Sequence, residues 1–328
     1  MSAILYAPLI LAGIVILLFG GDFLVRGGAA LARLWRLPPL LVGLTIIAFG
    51  TSAPELLVSI QSTLNGAPGL AVGNIVGSNI ANFLLVLGLP ALFGTIHTTT
   101  PGLRRNAIFA LLAAIALILV AWDHRVTLVE SQILLAAIVG YIALLGFQAR
   151  KKTTDPTLAE LTDIDHMEGL PKTLPTMLFA LVAGLVALPV GAQMVVTGAV
   201  AAAHDLNVDP ALIGLTAVAL GTSLPELATV IMASVRRHAD LAIGNVLGSN
   251  IFNVFAVGGA AGVAAHTVGT ELVVQESFFQ LDLWVMLAAS VLIAGIVLLK
   301  RPITRWLGLA LTLGYLGYIV VLARSAMS

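Results

Sequence analysis

The chain has 328 residues, 59% of them hydrophobic and only 10% charged, with a mean hydropathy of +1.06, which excludes an ordinary globular surface. Sixteen basic residues balance sixteen acidic ones without a basic block, so nucleic acid finds no electrostatic footprint. The absence of cysteine excludes disulfide frameworks, Fe–S clusters and thiolate zinc sites, and what remains is a polytopic membrane protein.

Hydropathy predicts ten spans, at about 4–33, 39–64, 69–96, 104–122, 127–148, 174–204, 210–235, 240–266, 281–299 and 303–323. These are long continuous apolar runs rich in Gly and Ala, not the short alternating strands of a barrel, so the expected fold is all-α. The opening residues lack the basic region of a signal peptide, and the first span is expected to be retained. With the N-terminus outside, Arg33, Arg36, Arg104, Arg105, Arg150, Lys151, Lys152, Lys172, Arg236, Arg237, Lys300, Arg301 and Arg305 all fall inside. Only Arg125 and Arg324 fall outside, so both termini are expected there. Arg26, four residues after Asp22 within the first span, is expected to pair with it. The polar stretch from Ala149 to Pro171 has no EF-hand spacing or turn glycine and reads as a solvated cytoplasmic linker. The chain thus divides into residues 1–148, a linker at 149–172, and residues 173–328.

Two of the spans carry an ionisable group where a membrane protein can least tolerate one. Gly50-Thr51-Ser52-Ala53-Pro54-Glu55 interrupts the second span and Gly221-Thr222-Ser223-Leu224-Pro225-Glu226 the seventh. A charged residue at the centre of a span costs about 2.5 to 3.5 kcal/mol on insertion scales, so two of them need a reason. The motifs are 171 residues apart, and at that offset residues 43–88 align without a gap on 214–259 with nearly half the positions identical. The match includes Gly73-Asn74-x-x-Gly77-Ser78-Asn79-Ile80-x-Asn82 and Gly244-Asn245-x-x-Gly248-Ser249-Asn250-Ile251-x-Asn253. Weaker matches pair Gly20 with Gly191, Gly27 with Gly198 and Pro39 with Pro210. A unit of five helices, an odd number, must enter the membrane upside down in its second copy. The loops agree, since Asn65-Gly66-Ala67-Pro68 has no basic residue and its partner Arg236-Arg237-His238-Ala239 has two. Inverted repeats with broken helices in corresponding positions point to a transporter with its site at the membrane midplane.

The proline in each motif lacks an amide hydrogen, leaving the carbonyl of Gly50 or Gly221 without its helical partner. Carbonyls near Ala48 and Ala219 then sit at the partially negative end of a half-helix, where a cation is stabilised. Thr51, Ser52 and Glu55, with Thr222, Ser223 and Glu226, add side-chain oxygens. Ser78 and Asn82, like Ser249 and Asn253, lie four residues apart and share a helix face. Every donor is oxygen and no histidine falls within either motif, which suits calcium, sodium or both rather than zinc or copper. Ser52 and Glu55 have the spacing of a capping box, a purely structural alternative. Asn74, Asn79, Asn245 and Asn250 read as hydrogen bonds between helices, outside the ion's first shell. An intramembrane hydrolase would need a His-Glu-x-x-His or Ser-His pairing that the repeats lack, so no enzyme is expected.

The doubled Gly-Thr-Ser-x-Pro-Glu and Gly-Asn-x-x-Gly-Ser-Asn-Ile-x-Asn motifs resemble the two alpha-repeats of the sodium/calcium exchangers, within the cation/calcium antiporter superfamily. The resemblance implies ten helices as two inverted five-helix repeats. The second, third, seventh and eighth form the ion-binding core, with the first and sixth packed across it as a moving gate. It further implies that Glu55, Glu226 and the carbonyls of Thr51 and Thr222 bind calcium. Sodium would draw on Ala48, Ser52, Ser78 and Glu55 on one side and Ala219, Ser223, Ser249 and Glu226 on the other. Asn82 and Asn253 would complete a central polar position. Several relatives, including potassium-dependent exchangers, carry Asp where this chain has Asn253, which argues against potassium co-transport. The implied activity is exchange of Ca2+ for Na+ across a prokaryotic inner membrane. Both ions are cargo, and no resident cofactor is implied. Rivals are a calcium/proton antiporter, whose relatives typically show Gly-Asn-x-x-Glu instead, and a passive cation channel.

Overall fold

The computed structural model describes residues 6–35, 37–151, 170–205, 219–236 and 238–327. The body of the expected linker, residues 152–169, and the first part of the seventh span lie outside these described residues.

The chain is helical almost throughout. The helices are α1 (Ala7–Trp35), α2 (Pro39–Thr51), α3 (Ala53–Leu64), α4 (Pro68–Ala91), α5 (Leu103–Val120), α6 (Leu128–Lys151) and α7 (Leu174–Asp205). They continue with α8 (Ala219–Val235), α9 (Ala239–Thr267), the short α10 (Glu276–Gln280), α11 (Asp282–Leu298) and α12 (Arg305–Met327). Among the described residues seven of these are long and apolar enough to cross a membrane, and the bent pair α2–α3 makes an eighth. The 17-residue apolar α11 is shorter, and α8 is described only from Ala219. Large apolar side chains such as Phe19, Phe147, Phe179 and Val182 stand exposed on the outside, as expected where lipid is the solvent.

α4 and α9 are central. Of their apolar stretches 78% and 89% are buried, against 22–44% for the other candidate spans. α9 crosses α2 at close range, an added Cβ at Gly244 meeting the Leu40 carbonyl oxygen at 2.9 Å. The peripheral helices pack in twinned fashion. Gly88 of α4 lies against Gly308 and Thr312 of α12, and Gly259 of α9, 171 residues later, lies against Ser131 and Leu135 of α6. Two short backbone pairings tie distant loops. Arg125–Val126 (β1) pairs antiparallel with Leu272–Val273 (β2), and Ile96 bridges Ile303.

The longest helices, α1 and α7, would each extend over 40 Å, roughly 1.5 Å per residue, which exceeds a bilayer core and requires tilt. They cross each other through glycines spaced by seven, at 13, 20 and 27 on one and 184, 191 and 198 on the other. A Cβ at Gly184 would lie 2.8 Å from the Gly20 carbonyl oxygen, and one at Gly191 would lie 2.9 Å from that of Gly13. Backbone meets backbone, so only glycine fits. Gly184→Val is therefore expected to destabilise the fold by about 1–3 kcal/mol or more through overpacking. The check is a lowered melting midpoint in detergent, with Gly140→Ala, which has open space around it, as the unaffected control.

Candidate ion-binding site

The site begins where α2 stops. A π-helical turn, Gly43–Ile47, leads into one α-turn that ends at Ser52, whose backbone leaves helical geometry at φ −87°, ψ 4°. Pro54 cannot supply an amide, so the chain bends by 41° and restarts as α3 with the proline in its first turn. The break leaves Ala48 engaged, because its carbonyl accepts the Ser52 amide at 3.0 Å and the Thr51 hydroxyl at 3.4 Å. The second half differs from the expected pattern. Pro225 lies within α8, which runs through the motif as one helix from Ala219. Only one backbone bond is lost there, and membrane helices tolerate this where neighbours satisfy the freed carbonyl.

The capping box does not form. Ser52 makes no side-chain cap bond, and its hydroxyl instead donates across the molecule to Glu226 Oε1 at 3.1 Å. The two halves interlock in matched pairs. Thr51 Oγ1 donates to Asn245 Oδ1 and Thr222 Oγ1 to Asn74 Oδ1, both at 3.2 Å. The hydroxyls of Thr51 and Ser249 are 3.5 Å apart, and those of Ser78 and Thr222 are 3.4 Å apart. Each bond of a pair has its twin 171 residues away. Asn82 Nδ2 donates to Asn250 Oδ1 at 2.9 Å, and Asn250 Nδ2 to the Asn79 carbonyl at 3.2 Å. Asn82 and Asn253 each open a π-helical turn, Asn82–Val86 and Asn253–Gly258, in α4 and α9. Such wide turns are rare in helices and frequent at functional sites.

The ten side chains expected at the site, Thr51, Ser52, Glu55, Ser78, Asn82, Thr222, Ser223, Glu226, Ser249 and Asn253, are all at most 9% exposed. Ala48 is buried beside them, and Ala219 opens α8. Glu55 and Glu226 lie within Coulombic reach of each other, and among the described residues neither is paired with Lys, Arg or His. Glu226 accepts from Ser52 and, at 3.5 Å, from Ser249. Both Glu55 oxygens, Glu226 Oε2, Asn82 Oδ1, Asn253 Oδ1 and Ser223 Oγ are buried without a partner among the described residues. Buried polar atoms are normally hydrogen-bonded, and oxygens left unpartnered around two carboxylates are of the chemical type that hard cations take as ligands. No cluster of three or more His, Cys, Asp or Glu exists among the described residues, so neutral oxygens must complete any such shell.

The asparagines read as helix–helix contacts have a more particular task. Asn74 Nδ2 donates to the Glu55 carbonyl at 3.1 Å and to Ser59 Oγ at 2.9 Å, while its oxygen receives Thr222. Ser59 escaped the sequence reading, although it stands one helical turn after Glu55. Its counterpart at the 171-residue offset is Val230, and Asn245 Nδ2 correspondingly has no partner.

The family model described as sodium/calcium exchanger protein matches residues 5–147 and 176–324. CaxA of Alkalimonas amylolytica is 36% identical over 96% of this chain and 98% of its own length. The sodium/calcium exchanger MaX1 of Methanosarcina acetivorans is 30% identical over 96% and 97%. A solved structure of the sodium-calcium exchanger NCX_Mj, soaked with Na+ and Sr2+, superposes with a TM-score of 0.79 at 29% identity, covering 97% of this chain and 99% of that one. The family model and these relatives place the chain among the cation/calcium antiporters, a class of transporter. The chain belongs to the sodium/calcium exchanger family.

Asn74→Ala is expected to strip partners from Ser59 and Thr222 at once, costing about 1–3 kcal/mol for the polar groups left unmade. A detergent melt should show a clear loss for Asn74→Ala and a smaller one for Asn245→Ala, whose amide nitrogen already lacks an acceptor.

Proposed function

We propose that the protein exchanges Ca2+ for Na+ by alternating access, both ions competing for one shared oxygen site near the middle of the membrane. The observation that carries this is the burial of Glu55 and Glu226, one from each half, within Coulombic reach of each other, with Ser52 of the first half donating to Glu226 and, among the described residues, no Lys, Arg or His paired with either. Two carboxylates balance one calcium or two sodium ions, so competition itself couples the fluxes. A third sodium would leave the loaded carrier positive and make exchange sensitive to voltage, by about 2.3 kcal/mol per charge per 100 mV.

In this reading calcium is held by Glu55, Glu226 and the carbonyls of Thr51 and Thr222. Sodium uses Ala48, Ser52, Ser78 and Glu55, or Ala219, Ser223, Ser249 and Glu226. Asn82 and Asn253 supply neutral oxygens between the two sides. Ten spans in two inverted repeats, with the termini outside and the linker inside, complete the proposal. The twinned hydrogen bonds support the repeat, as do the loop pairings, β1 with β2 at one face and Ile96 with Ile303 at the other. α1 and α7 move together over a core of α2–α4, α8 and α9, consistent with their glycine-lined crossing. The hydroxyls of the Gly-Thr-Ser cores favour sodium over a proton as counter-ion, since a proton needs no such shell.

Vesicles loaded with sodium are expected to accumulate labelled calcium when diluted into sodium-free buffer. Glu55→Gln and Glu226→Gln should each reduce that uptake at least about a hundredfold, since each removes a charge from the only acidic pair in the site. Uptake driven instead by an imposed pH gradient, and indifferent to sodium, would reverse the assignment of the counter-ion.

A further inference from the structure

The two long helices are geometric twins, yet they do not seat on the core alike. On α1, Gly21 presses against α8, where an added Cβ would meet the Ala228 carbonyl oxygen at 2.9 Å and the Met232 side chain at 3.2 Å. One residue on, Asp22 Oδ1 accepts from Nε and Nη2 of Arg236, both at 2.7 Å, and Asp22 Oδ2 lies 3.0 Å from Arg26 Nε. The Asp22 side chain is only 16% exposed, so this forked pair is largely shielded from water.

The positions 171 residues later on α7 are Ala192, Gln193 and Thr197. Gln193 Nε2 donates to Thr197 Oγ1 at 3.1 Å, reproducing the pair within the helix in neutral form, and both residues are exposed. Their matching seat on α3 is Leu57, Gln61 and Asn65, in the places of Ala228, Met232 and Arg236. That seat is uncovered, with Leu57 62% exposed where Ala228 is 5%.

Beside the motifs the contrast reverses. A cavity of about 180 Å³ lies between Val195, Val196 and Ala199 of α7 and Ser223, Leu224 and Leu227 of α8. The equivalent α1 residues Leu24 and Val25 are fully buried, and Gly28 lies against the Ile47 side chain. Among the described residues the α1 side is packed here, whereas the α7 side keeps this cavity even though Val196 reaches Gly221, where an added Cβ would meet its Cγ2 at 2.3 Å.

We propose that Asp22, Arg26 and Arg236 are positioning residues for exchange, an ionic latch that holds α1 on α8 and keeps the carrier open beside α7. In the opposite state the latch parts and α7 seats Ala192 on Leu57, with Gln193 and Asn65 as the neutral counterpart of the ion pair. An ionic lock on one face and an amide contact on the other make the two states unequal in energy. This inference rests on the exchange reading above, since it assigns the two ends of that cycle.

The test uses the native absence of cysteine. Ala192→Cys with Leu57→Cys is introduced into the full chain in vesicles, with Asp22 intact, with Asp22→Asn, and with the swapped pair Asp22→Arg and Arg236→Asp. Oxidation should form the disulfide slowly with Asp22 intact, at least about threefold faster in Asp22→Asn, and slowly again in the swap. Should Asp22→Asn accumulate poorly, Arg236→Gln opens the same pair from its other end. No disulfide in any background overturns the proposed seat, and equal rates in all of them overturn the latch. The cross-link reads shape and not flux. Normal cross-linking without sodium-driven calcium uptake would count against the exchange reading alone.

Discussion

Two buried acidic side chains within Coulombic reach of each other, without a basic partner among the described residues, are the constraint around which the rest is built. Burying an unpaired carboxylate costs several kcal/mol even after relaxation, of order the whole stability of many domains, so Glu55 and Glu226 need compensation that the protein itself only half provides. The hydroxyls of Ser52 and Ser249 reach Glu226, whereas both Glu55 oxygens lack a donor among the described residues. The bend at Ser52 presents its hydroxyl to Glu226, and the Thr–Asn pairs tie the two halves together around it. Under the proposed function, the remaining compensation arrives with the cargo.

The scaffold follows from the same requirement. Under the proposed function an ion desolvated in mid-membrane is surrounded from both halves of the chain, and α4 and α9, the most buried of the candidate spans, each contribute residues to that site. Close approach of backbones then replaces side-chain volume as the packing principle, with glycine at the α1–α7 and α2–α9 crossings. The outer helices α5, α6, α11 and α12 pack around this core and are tied in pairs by polar contacts, Tyr141 to Asn106 and Tyr318 to Asp282.

Much of this was legible in the chain itself, because the informative signals are chemical contradictions. A glutamate and a proline inside an apolar run stand out against their surroundings, and a second copy at a fixed offset cannot be accidental. Asp22 with Arg26 was readable from helical spacing alone, but Arg236, 214 residues away, was not. The same holds for Ser59, which acts through Asn74 from another helix. Ser52 read equally well as a helix cap, since the alternative partner, Glu226, is supplied by tertiary contact. The unbroken course of α8 through Pro225 was hidden for a related reason. Proline removes one bond in both halves, and whether the helix then bends is decided by its neighbours.

The replacement of Ser59 by Val230 at the matching position of the second half means that the twinned halves are not chemically equivalent. An exchanger's point of balance is fixed by its stoichiometry, the two ion gradients and, where net charge moves, the membrane voltage, so at a given stoichiometry no difference between its halves can shift it. What unlike halves can alter is pace. The backbone carbonyl of Glu55 is braced by Asn74, which also holds Ser59, whereas the carboxylate of Glu226 accepts from the hydroxyls of Ser52 and Ser249. Lopsided construction of this sort is a source of kinetic rectification, in which forward and reverse turnover saturate at different ion concentrations.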